Sequence, residues 1–214
     1  MDPTQTKQPK FRRRAEARPD EVLDAALTLF GARGFAHTTV EAVARQAGLS
    51  KAAVYLYFPS KRALLVGLVR RAVSPVADLA LGQIADYRGD PRPLIAGVMG
   101  LLVQRMTDPT VFAVPGLILR EAAVAPDMVQ IYREEVLDRV LPAMCGLIAQ
   151  GVAGGFIRAV DPELTVRSVV GPVLVHVLLA QVFGIVPEGG LQLDRLVANH
   201  LSILFAGLEP EEAA

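Results

Sequence analysis

Between Ser50 and Pro59 the chain reads Ser-Lys-Ala-Ala-Val-Tyr-Leu-Tyr-Phe-Pro, and its side chains are of the kinds that meet a nucleic-acid backbone. Lys51 offers a cation to phosphates, and Tyr55 and Tyr57 offer phenols that can donate to phosphate oxygens or lie against bases. Ala52 and Ala53 are small enough to allow close approach to base edges. Val54 and Phe58 stand four apart and mark an inward face. Ser50 can cap a helix at its start, and Pro59 disfavours helical geometry at the residue before it. About eight residues lie between these signals, a length that survives in water only when packed against something else.

The elements that must position this short helix lie just before it. Thr38 and Glu41 have the spacing of a capping box, so a helix is expected to begin at Thr39. Val40, Val43, Ala44 and Ala47 recur at three- and four-residue spacing and form one narrow apolar face. Gly48 stops the helix, because glycine accepts the left-handed conformation that commonly ends one. Two short helices joined by a tight turn make a helix-turn-helix, with Ser50 to Tyr57 as its recognition helix. Thr39, Ser50 and Lys61, at helix starts, are expected to meet phosphates, and Lys51, Ala52, Ala53, Tyr55 and Tyr57 bases and phosphates.

Thr38-Thr39-Val40, Ala47-Gly48-Leu49-Ser50-Lys51 and Tyr55-Leu56-Tyr57-Phe58-Pro59-Ser60-Lys61 follow, in order and spacing, the signature of a known family. Over about residues 20 to 65 the chain resembles the TetR family of bacterial transcription regulators. One departure is Ala52, where that family usually has glycine; its methyl sets the backbone farther from DNA or touches a thymine methyl. The resemblance implies a homodimeric repressor on a pseudo-palindromic, double-stranded operator. It further implies that the last two long helices, Leu164–Phe183 and Leu191–Leu208, pair with a second subunit in a four-helix bundle. A small-molecule effector in a cavity of the body would then change the spacing of the two heads.

Charge is divided along the chain in the way such a protein requires. Residues 1–71 hold 13 Lys+Arg against 6 Asp+Glu, whereas residues 72–214 hold 9 against 16, so a formal net charge of zero conceals +7 and −7. A basic module joined to an acidic remainder suits a DNA reader on a body that does not bind DNA. The single cysteine, Cys145, cannot form an internal disulfide, and the start of the chain lacks the apolar core of a secretory signal, which fits a cytoplasmic protein. His37, His176 and His200 are scattered, so no metal site is readable, and no nucleophile elbow or phosphate-binding loop suggests an enzyme or a cofactor. Val169 to Val186 contains no charged residue and is long enough to nominate a transmembrane helix. Gly171-Pro172, His176, Gln181 and the absence of flanking positive clusters favour a subunit interface over a membrane-associated regulator.

The chain is expected to be all-α, in a nine-helix architecture. Residues 1–17 read as a flexible basic arm, with Pro19, Asp20 and Glu21 opening the first helix; 18–62 form the helix-turn-helix domain and 63–214 the ligand-binding and dimerisation domain. Ser60 can cap a fourth helix starting at Lys61 that bends near Pro75. Five more helices are expected at Pro91–Met106, Thr110–Ala125, Pro126–Gly151, Leu164–Phe183 and Leu191–Leu208. Met99, Leu102, Met106, Phe112 and Leu117 are candidates to line an apolar pocket, and Arg120, Glu121, Tyr132 and His176 to anchor a ligand in it.

Overall fold

The computed structural model describes residues 10–106 and 108–210. Among these residues the chain forms ten helices and no strand: α1 Lys10–Arg33, α2 Val40–Gln46, α3 Lys51–Tyr57, α4 Lys61–Ala72, α5 Ser74–Ala85, α6 Pro91–Met106, α7 Pro109–Glu121, α8 Pro126–Ala153, α9 Pro162–Gln181 and α10 Leu193–Ala206. They belong to two compact units that divide between Leu68 and Val69, inside α4. The expected nine becomes ten because α4 and α5 are separate helices. The break falls at Val73, two residues before Pro75, whose ring removes a helical donor.

Local chemistry accounts for the remaining punctuation. Three Asp-Pro pairs open α6, α7 and α9. In each, the aspartate carboxylate accepts a backbone N–H two or three residues on, at 2.8–3.0 Å, while the proline occupies a position whose own donor would be unpaired. The Ser60 hydroxyl accepts the Ala63 N–H at 3.0 Å and starts α4. The first helix begins earlier than expected: α1 starts at Lys10 and contains Pro19. Residues 10–17, expected as part of a basic arm, are placed in this helix. Lys, Arg, Ala and Glu are strong helix formers, and over such a run their propensity outweighs the one donor that proline removes. Residues 1–9 of the proposed arm lie outside the described residues. α8 carries a second departure, a π-helical turn at Arg133–Leu137 within an otherwise regular helix.

In the first unit, Val22, Ala26, Leu29 and Phe30 of α1 are buried with Val40 and Val43 of α2, Val54 of α3 and Leu64, Leu65 and Leu68 of α4. Phe30 and Phe35 meet edge to face, with centroids 5.1 Å apart. In the second unit the core is built from Ile95, Met99 and Val103 of α6, Met144, Leu147 and Ile148 of α8, Val166, Val169, Val173 and Val177 of α9, and Val197 and Leu201 of α10. The Gln181 amide Nε2 donates to the Phe112 carbonyl at 2.9 Å and ties the end of α9 to α7. This approach exists because Gly116 is buried against that amide; a Cβ there would fall on the Gln181 Oε1.

Gly116→Ala is expected to expel the Gln181 side chain and cost about 1–3 kcal/mol, as overpacking of a tight contact does. In urea unfolding, Gln181→Ala made in the Gly116→Ala background should then cost little more. Additive losses would show that the two residues act independently.

Candidate nucleic-acid interface

The recognition helix is held by its ends and by one buried residue. Gly48 has φ +67°, the left-handed geometry that turns the chain between α2 and α3. Ser50, in extended conformation, accepts the Ala53 N–H on its Oγ at 3.1 Å and caps α3. Val54 is fully buried and fastens the middle of the helix, while Phe58 ends it with an extended backbone before Pro59. This leaves Lys51, Ala52, Tyr55, Leu56 and Tyr57 exposed, with Ala53 half-buried between the two faces.

The preceding cap sits one residue later than expected. Thr39 is the N-cap of α2 and accepts the Ala42 N–H at 3.2 Å, so the helix starts at Val40. Thr38 is 2% exposed, and its hydroxyl lies 2.8 Å from the Gly34 carbonyl and 3.3 Å from that of Leu29, at the end of α1. A buried hydroxyl must find partners, and the open carbonyls of a helix C-terminus supply them. The hydroxyl oxygens of Thr39 and Ser50 are occupied by their caps, but each keeps a hydrogen that a phosphate oxygen can accept.

Two lysines behave differently from each other. The Lys51 ammonium on α3 forms an ion pair with the Glu41 carboxylate on α2 and lies 5.7 Å from the Tyr55 ring centroid. Hydrogen bonding to Lys51 holds the Glu41 carboxyl below its ordinary range, and the same bond raises Lys51. Both groups are exposed, and exposed pairs are readily exchanged for another partner. Lys61, by contrast, turns back onto carbonyls of its own unit. Its Nζ donates to the Phe35 carbonyl at 2.8 Å and to that of Ala36 at 3.1 Å, and lies 4.5 Å from the Phe35 ring centroid. Desolvation pushes its pKa down. The expected phosphate grip by Lys61 thus gives way to a clamp that joins the start of α4 to the turn after α1.

Sequence reasoning passed over Leu56, which is 84% exposed in the middle of α3. Its place two residues from both Val54 and Phe58 could have revealed it, since that offset points away from the inward face. Arg45 and Gln46, exposed at the end of α2, were also passed over.

In the second unit a cavity of about 190 Å³ opens among α5, α6, α7, α8 and α9. Met99, Leu102, Met106 and Tyr132 are among its lining residues, with Val76, Ala77, Val136, Met144 and Val173, which the sequence did not single out. The other candidates lie elsewhere. Leu117 is buried in packing away from the cavity, Phe112 is half-buried, and Arg120 is exposed. Glu121, next to Arg120, is half-buried and does not line the cavity either. The His176 Nε2 meets the Leu191 carbonyl at 2.6 Å and fixes the loop after α9. The π turn supplies Val136 and Leu137 to the cavity wall directly after Tyr132. It also carries Glu135, whose carboxylate receives two bonds from Arg70 at the end of α4, at 2.8 and 2.9 Å. That guanidinium holds the Glu135 carboxyl below its usual range.

Residues 22–68 match the family model described as bacterial regulatory proteins, tetR family. The transcriptional regulator RutR of Escherichia coli is 37% identical over 87 residues, which are 41% of this chain and 39% of that protein. The regulator EthR of Mycobacterium tuberculosis is 36% identical over 91 residues, covering 41% of this chain and 42% of its own. The matched stretch therefore spans about two fifths of these curated relatives. Among solved structures, SmeT, the repressor of the Stenotrophomonas maltophilia multidrug efflux pump SmeDEF, superposes with a TM-score of 0.71 at 24% identity over 90% of this chain and 91% of its own. FadR of Bacillus subtilis in complex with stearoyl-CoA gives 0.70 at 21% identity, over 89% and 99%. At these identities the likeness is one of fold.

If Lys61 is a clamp, Lys61→Ala should lower the stability of the first unit by about 1–3 kcal/mol, the range for lost bonds from a charged donor. Its DNA binding should weaken only as far as the unit unfolds, with an unchanged salt slope. A reduced slope at full stability would put the Lys61 ammonium on a phosphate instead.

Proposed function

We propose that this chain, whose residues 22–68 match the model for bacterial regulatory proteins of the tetR family, is a DNA-binding transcriptional regulator and not an enzyme, and that it acts as a cytoplasmic, homodimeric repressor of a pseudo-palindromic operator. A small apolar effector in the body releases it. The observation that carries this reading is the outward face of α3: Lys51, Ala52, Tyr55, Leu56 and Tyr57 exposed together on a helix fastened by Val54. Small and apolar groups suit thymine methyls, and the cation and phenols suit phosphates and base edges. Lys51 leaves Glu41 for the DNA, while Thr39 and Ser50 give their hydroxyl hydrogens to the backbone.

The dimer reading rests on the outer face of α9. Val175 is 54% exposed and Val182 42%, and Phe183, Ile185 and Val186 beyond the helix are at least half exposed. On α10 the small residues Ala198, Ser202 and Ala206 are exposed at four-residue spacing and permit close approach of another helix. Isologous pairing of Leu164–Phe183 and Leu191–Leu208 across a two-fold axis covers both surfaces. A second reading has its own observation. α8 and α9 are each long and apolar enough to cross a membrane. α9, however, buries Val166, Val169, Val173 and Val177 against its own chain, so one face of it is already spoken for.

Two measurements test the proposal. Binding to operator enriched from a random duplex pool should fall steeply with salt, as two heads displace counterions from about 6 to 10 phosphates. Lys51→Ala should flatten the slope by about 2, one for each head. Glu41→Gln should tighten binding to random-sequence DNA a few-fold in the wild-type background and much less in Lys51→Ala. Equal effects in both backgrounds would mean that Glu41 acts through overall charge and not through Lys51.

Val175→Glu places an unpaired charge in the proposed interface without disturbing the core, unlike a change at half-buried Leu178. It should yield folded monomers with weak operator binding. A wild-type monomer in sedimentation would refute the dimer, and wild-type partition into membranes would favour the second reading.

A further inference from the structure

Resting on the reading of the body as an effector domain, we infer that its cavity takes an uncharged, ring-sized aromatic compound bearing one hydroxyl or carbonyl group, which hydrogen-bonds to the Tyr132 hydroxyl. Three observations set this class. The first is size. The cavity holds about 190 Å³. Apolar cavities of about 150 Å³ admit benzene, and pockets for drug-sized ligands begin near 300 Å³. A single ring with one or two small substituents fills this volume.

The second is polarity. No charged side chain lines the cavity. A carboxylate or ammonium entering it would lose its hydration with nothing to replace it, a far greater cost than burying a neutral polar group. Tyr132 is the exception in an otherwise aliphatic and thioether wall. Its ring is half-buried, burial raises the phenol's pKa, and its hydroxyl is the one side-chain polar group that the lining residues offer a ligand. A single hydroxyl in an apolar wall favours a ligand that brings one complementary polar group over one that brings none.

The third is the character of the wall. Three of the chain's five methionines, Met99, Met106 and Met144, line this cavity. Thioether sulfur makes favourable contacts with aromatic edges and adapts to irregular outlines, which selects a flat ring over an aliphatic chain of equal volume. The π turn beginning at Arg133 places Val136 and Leu137 in the same wall as Tyr132. A bond to the Tyr132 hydroxyl therefore acts on the segment of α8 that also holds Arg70 through Glu135.

The test uses three probes that share a ring: p-cresol, toluene and 4-methylbenzoate. In calorimetry on the full chain, p-cresol should bind about tenfold more tightly than toluene, and 4-methylbenzoate should not bind at the same concentrations. Tyr132→Phe should bring p-cresol down to the level of toluene and leave toluene unchanged. Ala80→Leu, which grows into the cavity from α5, should abolish both without lowering the melting temperature. Equal affinity of p-cresol and toluene for the wild type, binding of 4-methylbenzoate as tight as that of p-cresol, or p-cresol binding that survives Ala80→Leu would overturn the inference. Operator affinity with and without p-cresol forms a separate arm. Binding that leaves operator affinity unchanged overturns the effector reading but not the ligand class. Release of operator by 4-methylbenzoate, with no binding of p-cresol, overturns the ligand class but not the effector reading.

Discussion

A helix of seven residues cannot hold its own shape in water, because too few hydrogen bonds offset the cost of ordering its first turn. α3, Lys51–Tyr57, is such a helix, and the first unit is organised around keeping it folded with one face free. Ser50 closes its amino end, Gly48 sets its direction, and the buried Val54 holds its centre. The supports extend one layer back. Thr38 locks the end of α1, and Lys61 clamps the following turn to the start of α4. Because these groups are used for support, the outward residues of α3 are free of structural duty.

The same economy governs charge. Lys61 is consumed inside the unit, whereas Lys51 is held only by Glu41 in an exposed pair. Such a pair keeps the cation near α3 without a large barrier to exchange, as the proposed transfer of Lys51 to a phosphate requires. In the second unit no charged side chain lines the cavity, and Arg70 and Glu135 form their fork outside its lining. The π turn belongs to both arrangements, since Val136 faces the cavity and Glu135 faces Arg70.

Much of the first unit was legible because its signals are local. Gly48, Ser50, Pro59 and Ser60 act on backbone within a few residues of themselves, and the structure uses each as read. Thr38 and Thr39 were harder, since adjacent threonines compete for one cap and burial decides between them. The role of Lys61 depends on carbonyls about 25 residues away, and the partner of Lys51 lies on another helix, so neither could be read from spacing. In the body, Met99, Leu102 and Met106 were read as apolar lining and Tyr132 as a polar residue within an apolar helix, but apolar character cannot separate a cavity wall from ordinary core, which is why Phe112 and Leu117 were grouped with the first three. The π turn has no sequence signature that we can identify.

The central claim is that Lys51 exchanges the carboxylate of Glu41 for DNA while the rest of the first unit stays fixed. A crystal structure of the full chain on duplex enriched from a random pool measures this directly. It should show α3 in the major groove, the Lys51 ammonium within hydrogen-bonding distance of a phosphate or base edge, and Lys61 still on the carbonyls of Phe35 and Ala36. Lys51 remaining on Glu41 with α3 outside the groove would contradict the account.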